Sequence, residues 1–133
     1  KVAFVSHSTF GQPLTSRTKH IKKAVDILKN KDVDFEFDGD MQPDVALNEE
    51  YKELYPFSNI VGNANILIMP GQHSAAISYK MMKSLGETKV IGPLLIGLGQ
   101  PIEIAPLRSS TSEIINLASI AAYSADVIDY KKN

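Results

Sequence analysis

The sequence has 133 residues, 44% hydrophobic and 22% charged, which suits one soluble domain or part of one. Its 14 Lys and Arg nearly balance its 15 Asp and Glu, so charge gives it no attraction to nucleic acid. It contains no cysteine, which excludes disulfides, zinc–thiolate sites and thiol nucleophiles. We also expect no signal peptide and no membrane segment, and therefore a cytoplasmic protein.

The chain enters a predicted strand at once. Val2 to Ser6 has the apolar pattern of a buried strand, without an initiator methionine before it, and we therefore expect a fragment of a longer polypeptide. The loop from Ser6 to Pro13 is rich in hydroxyl groups. At the carboxyl end of a parallel strand these hydroxyls suit phosphate or amide contacts, and the alternative is that they cap the next helix.

That helix is predicted from Ser16 to Asn30. Apolar residues recur on one face at helical spacing, and lysines occupy the other face. We interpret the lysines as a solvated face rather than a ligand site.

The stretch DFEFDGDMQPDVALN, residues 34–48, begins like a half-buried strand, with Phe35 and Phe37 on one side. Asp38-Gly39-Asp40 predicts a turn, and Pro43 suits the first turn of a short helix. Carboxylates crowd this strand-to-helix connection. They have the hard oxygens that bind a divalent cation, but the pattern favours capping of the turn and the helix by Asp38, Asp40 and Asp44.

The second half of the sequence continues the alternation of strands and helices. We predict a helical turn or two over Glu49–Tyr55 and a central strand over Ala64–Met69. Ser74 is the candidate N-cap of a helix that ends at Gly86.

Two short strands and a final helix are expected next. The strands are predicted at Val90–Ile91 and Ile102–Ala105. Ser110 to Glu113 fits a capping box that opens the final helix, whose apolar circumference indicates burial, and Asp126–Asn133 reads as a polar tail. The βα order predicts an α/β fold, a three-layer α/β/α sandwich with a largely parallel sheet.

Local motifs for catalysis are weak. The three histidines, His7, His20 and His73, lack metal-ligand spacing and are interpreted as hydrogen-bonded structural residues. A Ser-His-Asp triad remains open, although no G-x-S-x-G motif occurs. There is also no P-loop and no G-x-G-x-x-G, and we predict no metal site in this chain.

Several segments taken together resemble the phosphate acetyl/butyryltransferase family. They are DGDMQPDVALN, YPFS, NANILIMP, AISYK and VIGPLLIGLGQPI, in order, within a match from SHSTFG at Ser6 to SIAAY at Tyr123. The SHSTFG loop and PGQHSAAISYK resemble most the transacetylase-like C-terminal region of large bacterial NADP-dependent malic enzymes.

The resemblance implies an isocitrate/isopropylmalate dehydrogenase-like fold with two lobes around a cleft for CoA and acyl phosphate. Residues 1–133 would be the second half of such a region, without its N-terminal lobe, and would form a homodimer or higher oligomer. The implied acyl-CoA or phosphate contacts are Ser6, Ser8, Thr9, Asp38, Gln42, Tyr79, Lys80 and Arg108.

The departures from the family pattern concern catalysis. Active members carry a Ser-Arg pair, which falls on Pro106-Leu107, and an Asp, which falls on Glu113. The family's Asn in the strand-to-helix turn becomes Ala76. Arg108, one position along, and Glu113 are the only catalytic candidates, and Glu113 also has its capping-box explanation.

Three hypotheses follow from the resemblance. The first is a non-catalytic, acetyl-CoA-sensing and oligomerising domain of a malic enzyme, which oxidatively decarboxylates malate to pyruvate. The NADP and the Mg²⁺ or Mn²⁺ would then belong to an N-terminal malic enzyme domain of the same chain. The second is an active phosphate acyltransferase that uses Arg108 and Glu113, and the third is a dimerisation lobe without a ligand.

Overall fold

The computed structural model describes residues 1–86 and 89–130. The chain divides into two compact units, Lys1–Met82 and Lys83–Asn133. No helix within the described residues is long and apolar enough to cross a membrane.

The first unit contains a parallel sheet of three strands. They are β1 (Val2–Val5), β2 (Phe37–Met41) and β3 (Ile66–Ile68), in the order β2-β1-β3. Val2 pairs with Phe37 on one side and with Ile66 on the other. The predicted α/β class with parallel strands is confirmed. The prediction that Ala64–Met69 is a central strand is wrong, because β1 occupies the middle of this sheet and β3 its edge.

The described residues form five helices: α1 (Ser16–Lys29), α2 (Pro43–Leu47), α3 (Glu49–Lys52), α4 (Gln72–Leu85) and α5 (Thr111–Tyr130). Pro43 lies in the first turn of α2, as predicted. Thr15 caps α1 and forms a reciprocal capping box with Thr18, so the loop hydroxyls before Pro13 are not the cap.

The start of α4 differs from the prediction. Its hydrogen bonding already begins at Gly71, whose carbonyl accepts from the Ala75 N–H at 3.1 Å. Ser74 therefore lies inside the first turn, where its hydroxyl donates to the same carbonyl at 2.8 Å. The prediction of Ser74 as N-cap is wrong. The helix ends at Leu85, directly before the predicted terminator Gly86.

Asp38-Gly39-Asp40 lies inside β2, so the predicted turn is wrong. The pairing of β1 with β2 shifts between Phe4 and Val5, and β2 accommodates one additional residue, Asp40, as a bulge. Gly39 passes so close to β1 that a Cβ there would lie 2.6 Å from the Phe4 carbonyl oxygen. Gly39 has a φ of +153°, a conformation that residues with a Cβ rarely adopt, whereas Asp38 and Asp40 do not have a positive φ. Because Gly39 has no side chain, β2 can approach β1 closely at this point.

The core of the first unit forms where the strands meet α2. Its buried members are Ala3, Val5, Met41, Val45, Ala46, Ile60 and Ala64. Phe10 and Tyr55 pack against this cluster, and their rings lie 5.4 Å apart in a tilted arrangement. This packing fixes the loop after β1 to the sheet.

The second unit contains fewer regular elements than expected. Residues 89–110 contain neither helix nor strand, so the predicted strands Val90–Ile91 and Ile102–Ala105 are wrong. A strand needs a hydrogen-bonded neighbour, and the structure forms no such ladder there. Pro93, Pro101 and Pro106 also lack the N–H that a ladder uses.

Helix α5 is longer and more exposed than predicted. It continues to Tyr130, so the predicted polar tail from Asp126 is helical up to that residue, and residues 131–133 lie outside the described part. Leu117 is buried, whereas Ile114, Ile115 and Tyr123 are exposed. The prediction that α5 is buried on most sides is therefore wrong. Apolar residues lie around most of this helix, but other residues cover only the part that contains Leu117.

Candidate functional site

The loop that follows β1 is anchored to the end of β2 by one buried carboxylate. Asp40 is 2% exposed and accepts hydrogen bonds from the Ser8 hydroxyl and from the Gly11 N–H, the latter at 3.0 Å. Its own carbonyl accepts from the Phe10 N–H at 2.6 Å. A carboxylate that receives donors from both ends of a short loop restrains that loop strongly.

Gln42 provides a second anchor for the same loop. Its backbone N–H donates to the Thr9 hydroxyl at 3.2 Å. Its side-chain Nε2 donates to the carbonyl oxygen of His7 at 2.9 Å. The backbone of His7 is thereby fixed while its side chain stays exposed.

The other carboxylates of this region also bond to backbone N–H groups. Asp38 is buried and accepts from the Gly39 N–H at 2.9 Å and the Asn59 N–H at 2.7 Å. Asp44 accepts from the Val45 N–H at 3.0 Å in the first turn of α2. Among the described residues, no three His, Cys, Asp or Glu side chains are grouped as metal ligands. These carboxylates therefore organise the backbone. For Asp44, which accepts a hydrogen bond in the first turn of α2, this agrees with the predicted capping role.

An open cleft of about 940 Å³ lies in the first unit, at the carboxyl ends of β1 and β3. Helices α1 and α4 form its sides. The side chains with polar or basic groups that line it are Ser6, His7, Arg17, His20, His73, Ser74 and Ser78. The apolar part of the lining includes Val5, Ile21, Met69 and Ile77. A cleft of this composition can hold a ligand that carries both apolar and anionic groups.

The histidines were not predicted as site residues. Within residues 1–86 and 89–130 no hydrogen bond to any of their imidazoles is formed, so their interpretation as hydrogen-bonded structural residues is wrong. A sequence signal was present: His7 follows β1 and His73 follows β3 by a few residues. The ends of neighbouring parallel strands meet at one edge, which brings such residues together.

The residues predicted to contact acyl-CoA or phosphate are distributed unevenly. Ser6 lines the cleft, whereas Ser8, Thr9 and Asp38 are buried and do not line it. Tyr79 and Lys80 lie on α4, half-buried and exposed respectively. As ligand contacts all of them remain predictions.

Glu113 has the geometry of a capping box in the second unit, which confirms that prediction. Its Oε2 accepts from the Ser110 N–H at 2.7 Å, and its own N–H donates to the Ser110 hydroxyl at 3.3 Å. Its Oε1 pairs with the Lys83 ammonium at 2.6 Å. The Lys83 hydrogen bond and the Ser110 donors lower the pKa of Glu113 to about 2.

Pro106 and Leu107 form part of a tight turn that precedes α5. The Ser109 N–H donates to the Pro106 carbonyl at 3.0 Å, which places Leu107 and Arg108 at the corner. Leu107 is fully exposed, and Arg108 is exposed beside it. The corner therefore presents an apolar side chain where the resemblance expects a guanidinium.

Comparison with known proteins gives a consistent assignment. A family model described as "Phosphate acetyl/butaryl transferase" matches residues 1–122. The chain is 50% identical over 125 residues to an NADP-dependent malic enzyme of Rhizobium meliloti, covering 94% of this chain and 16% of that protein. It is 35% identical over 126 residues to a phosphate acetyltransferase of Clostridium acetobutylicum, covering 94% of this chain and 38% of that protein.

A solved structure agrees with this similarity. A phosphotransacetylase from Streptococcus pyogenes matches with a TM-score of 0.86 and 33% identity, covering 94% of this chain and 38% of that one. The chain thus spans about one sixth of the malic enzyme and less than two fifths of the transacetylases.

Proposed function

The chain belongs to the phosphate acetyl/butaryl transferase family, and on that basis we propose that it is a non-catalytic, acyl-CoA-binding domain that regulates and oligomerises an NADP-dependent malic enzyme. The 50% identity to such an enzyme supports this parent. The parent oxidatively decarboxylates malate to pyruvate. Its NADP and its Mg²⁺ or Mn²⁺ are held by an N-terminal malic enzyme domain of the same chain, outside these residues.

The observation that carries the non-catalytic part is the turn at Pro106–Ser109. Where the family resemblance expects a hydroxyl and a guanidinium, the turn presents the ring of Pro106 and the exposed side chain of Leu107. Neither side chain donates a hydrogen bond to an oxyanion or pairs with phosphate. Transfer of an acyl group to phosphate needs such a partner for the charge that develops.

The state of Glu113 points the same way. A thiol such as that of cysteine has a pKa of about 8.5, and a useful general base has a pKa near the working pH. The oxygens of Glu113 are bonded to Lys83 and Ser110, which lower its pKa to about 2, and this engagement favours capping of α5 over uptake of the thiol proton of CoA. It serves instead to start α5.

The cleft of the first unit supports the ligand part of the proposal. Arg17 and the imidazoles suit the phosphate groups of CoA, and the apolar lining suits its pantetheine and acyl portion. Bound acyl-CoA would then bias the arrangement of the parent's subunits. Coupling of this kind is typically about 1–3 kcal/mol, or roughly 5–150-fold in affinity.

Exposed apolar side chains of the second unit support the oligomerising part. Ile114, Ile115 and Tyr123 on α5 and Ile96 and Leu107 before it are exposed to solvent in the single chain. Exposed apolar side chains that lie together on a surface mark it as one that other protein covers, and the close sequence spacing of those on α5 suits such a surface. We therefore propose a homodimer or a higher homo-oligomer of the parent.

An assay of acyl transfer tests the proposed function against its rival, an active phosphate acyltransferase. The intact protein is incubated with acetyl phosphate and CoA, and thioester formation is followed. We expect binding of acetyl-CoA by calorimetry but no turnover above the uncatalysed rate. Turnover that disappears in Arg108→Ala but persists in the control Lys23→Ala would establish the rival, because Arg108 is the exposed cation at the corner of the turn and Lys23 is an exposed cation outside the cleft lining.

A further inference from the structure

One cleft gathers all the histidines of the sequence. The chain has three, and His7, His20 and His73 all line the cleft of the first unit. They come from different elements: the loop after β1, helix α1, and the first turn of α4. Arg17 adds a permanent positive charge from α1. Among the described residues that line the cleft there is no Asp or Glu, so its ionisable side chains favour an anion.

The basic groups of the cleft are available to a ligand. In the described ranges, 1–86 and 89–130, neither the Arg17 guanidinium nor any of the imidazoles forms a hydrogen bond or an ion pair. All four side chains are exposed. The neighbouring carboxylates of Asp40 and Asp44 do not line the cleft and accept hydrogen bonds from other groups. Within the described part of the chain, no internal partner competes with a ligand for these groups.

The three imidazoles reach the cleft from three different elements of the first unit. Among the described residues no three His, Cys, Asp or Glu side chains could hold one metal ion. A small spherical ion therefore cannot use all three. An elongated anion with several charged oxygens, such as a diphosphate ester, can contact separate imidazoles at once.

We propose that this cleft binds the diphosphate of its ligand in a pH-dependent manner, with His7, His20 and His73 protonated in the bound state. The inference rests on the proposed function, since it concerns regulation of the same acyl-CoA site. An ordinary imidazole has a pKa of about 6.5, so its charge changes within the physiological range. The other described lining groups do not add a pH dependence between pH 6 and pH 8. A guanidinium keeps its charge in this range, and α2 contributes only Pro43 to the lining.

The size of the effect follows from linkage. A phosphate that raises the pKa of one imidazole from about 6.5 to about 7.5 makes binding roughly sixfold tighter at pH 6 than at pH 8. The sign is fixed, because the ligand stabilises the protonated form and that form is lost as pH rises. Two or three participating histidines multiply this factor. We expect the affinity to fall at least about tenfold between pH 6 and pH 8.

Dephospho-CoA is the probe, because its diphosphate diester keeps a constant charge in this range, unlike a phosphate monoester with a second pKa of about 6. Its dissociation constant is measured calorimetrically at pH 6 and pH 8, on the intact protein and on the triple variant His7→Gln, His20→Gln, His73→Gln. Lys23→Gln is the control, since Lys23 is an exposed α1 cation outside the cleft lining. Thermal unfolding of each ligand-free variant confirms that it is folded.

The outcomes separate this inference from the proposed function. A tenfold or larger fall in affinity that the triple variant abolishes and Lys23→Gln retains supports the inference. Equal affinity at both pH values overturns it and leaves acyl-CoA binding intact. A fall that persists in the triple variant also overturns it, since the histidines are then not the cause. Absence of binding at both pH values overturns the proposed ligand itself.

Discussion

Gly39 and Asp40 illustrate how neighbouring residues in one strand do different work. Gly39 permits β2 to approach β1, and Asp40, at the bulge, directs a carboxylate onto the loop that follows β1. That loop contributes Ser6 and His7 to the cleft. The geometry of the cleft thus depends on residues that do not line it.

Replacement of Gly39 tests whether β2 approaches β1 as closely as the structure shows. In Gly39→Ala the new methyl group would lie 2.6 Å from the Phe4 carbonyl oxygen and 2.7 Å from the Phe4 Cβ, at a φ of +153° that disfavours alanine. We expect the free energy of unfolding to fall by about 2 kcal/mol or more, from overpacking and backbone strain together. Urea unfolding measures it.

Gly71 offers a matched control. A Cβ built there meets no heavy atom within 4 Å, and its φ is not in the positive range. Because Gly71 lies at the N-cap of α4, Gly71→Ala should cost only the weaker capping by alanine, no more than about 1 kcal/mol. Equal losses in the two variants would contradict the close approach of β2 to β1.

At the scale of elements, the structure differs from the sequence prediction where long-range contacts decide. The α5 capping box and Pro43 at the start of α2 were predictable, because their signals lie within a few residues. The conformation of Asp38-Gly39-Asp40 was not predictable, because the glycine is required by the close approach of Phe4 on another strand. The strands predicted at Val90–Ile91 and Ile102–Ala105 do not form for a related reason. An apolar run becomes a strand only when a neighbouring strand pairs with it.

The site shows the same limit. Hydroxyls in the loop after β1 were recognised, and Ser6 does line the cleft. Whether Ser8 points to a ligand or to Asp40 depends on the bulge in β2, which no local pattern reveals. Likewise, the sequence alone does not show that the histidines line one cleft, because this depends on the order of the strands in the sheet.

The beginning of α5 provides a pH-dependent prediction. The pKa of Glu113, about 2, lies below its ordinary value of 4.5, so its carboxylate stabilises the folded form above pH 4.5. This contribution is lost as pH falls from about 4.5 towards 2. The side chain is partly exposed, so salt weakens the effect. Carboxyl NMR titration should give a midpoint near the lower value.

The Lys83→Met variant isolates the cause of that shift. It removes the largest contribution to the lowered pKa and leaves the Ser110 donors in place. We expect the Glu113 midpoint to rise towards 4.5 without reaching it. An unchanged midpoint would show that Lys83 does not pair with Glu113 in solution.

At the scale of the whole molecule, each of the two units has its own character: the first contains the open cleft, and the second lacks the side chains that the family resemblance expects. The first unit keeps a cleft with basic and apolar walls, while the second presents Leu107 at the corner of a turn and a Glu113 engaged in capping. A transferase needs both features, whereas a sensor needs only the first. This difference is why we place regulation of a parent enzyme above catalysis.

The kinetics of malate oxidation by the full-length protein test whether acyl-CoA regulates the proposed parent enzyme. NADPH formation is measured at subsaturating malate, with and without saturating acetyl-CoA. We expect saturating acetyl-CoA to change the KM for malate by roughly 5–150-fold, the size that coupling between two binding sites typically produces. Identical malate kinetics in the two conditions would contradict it.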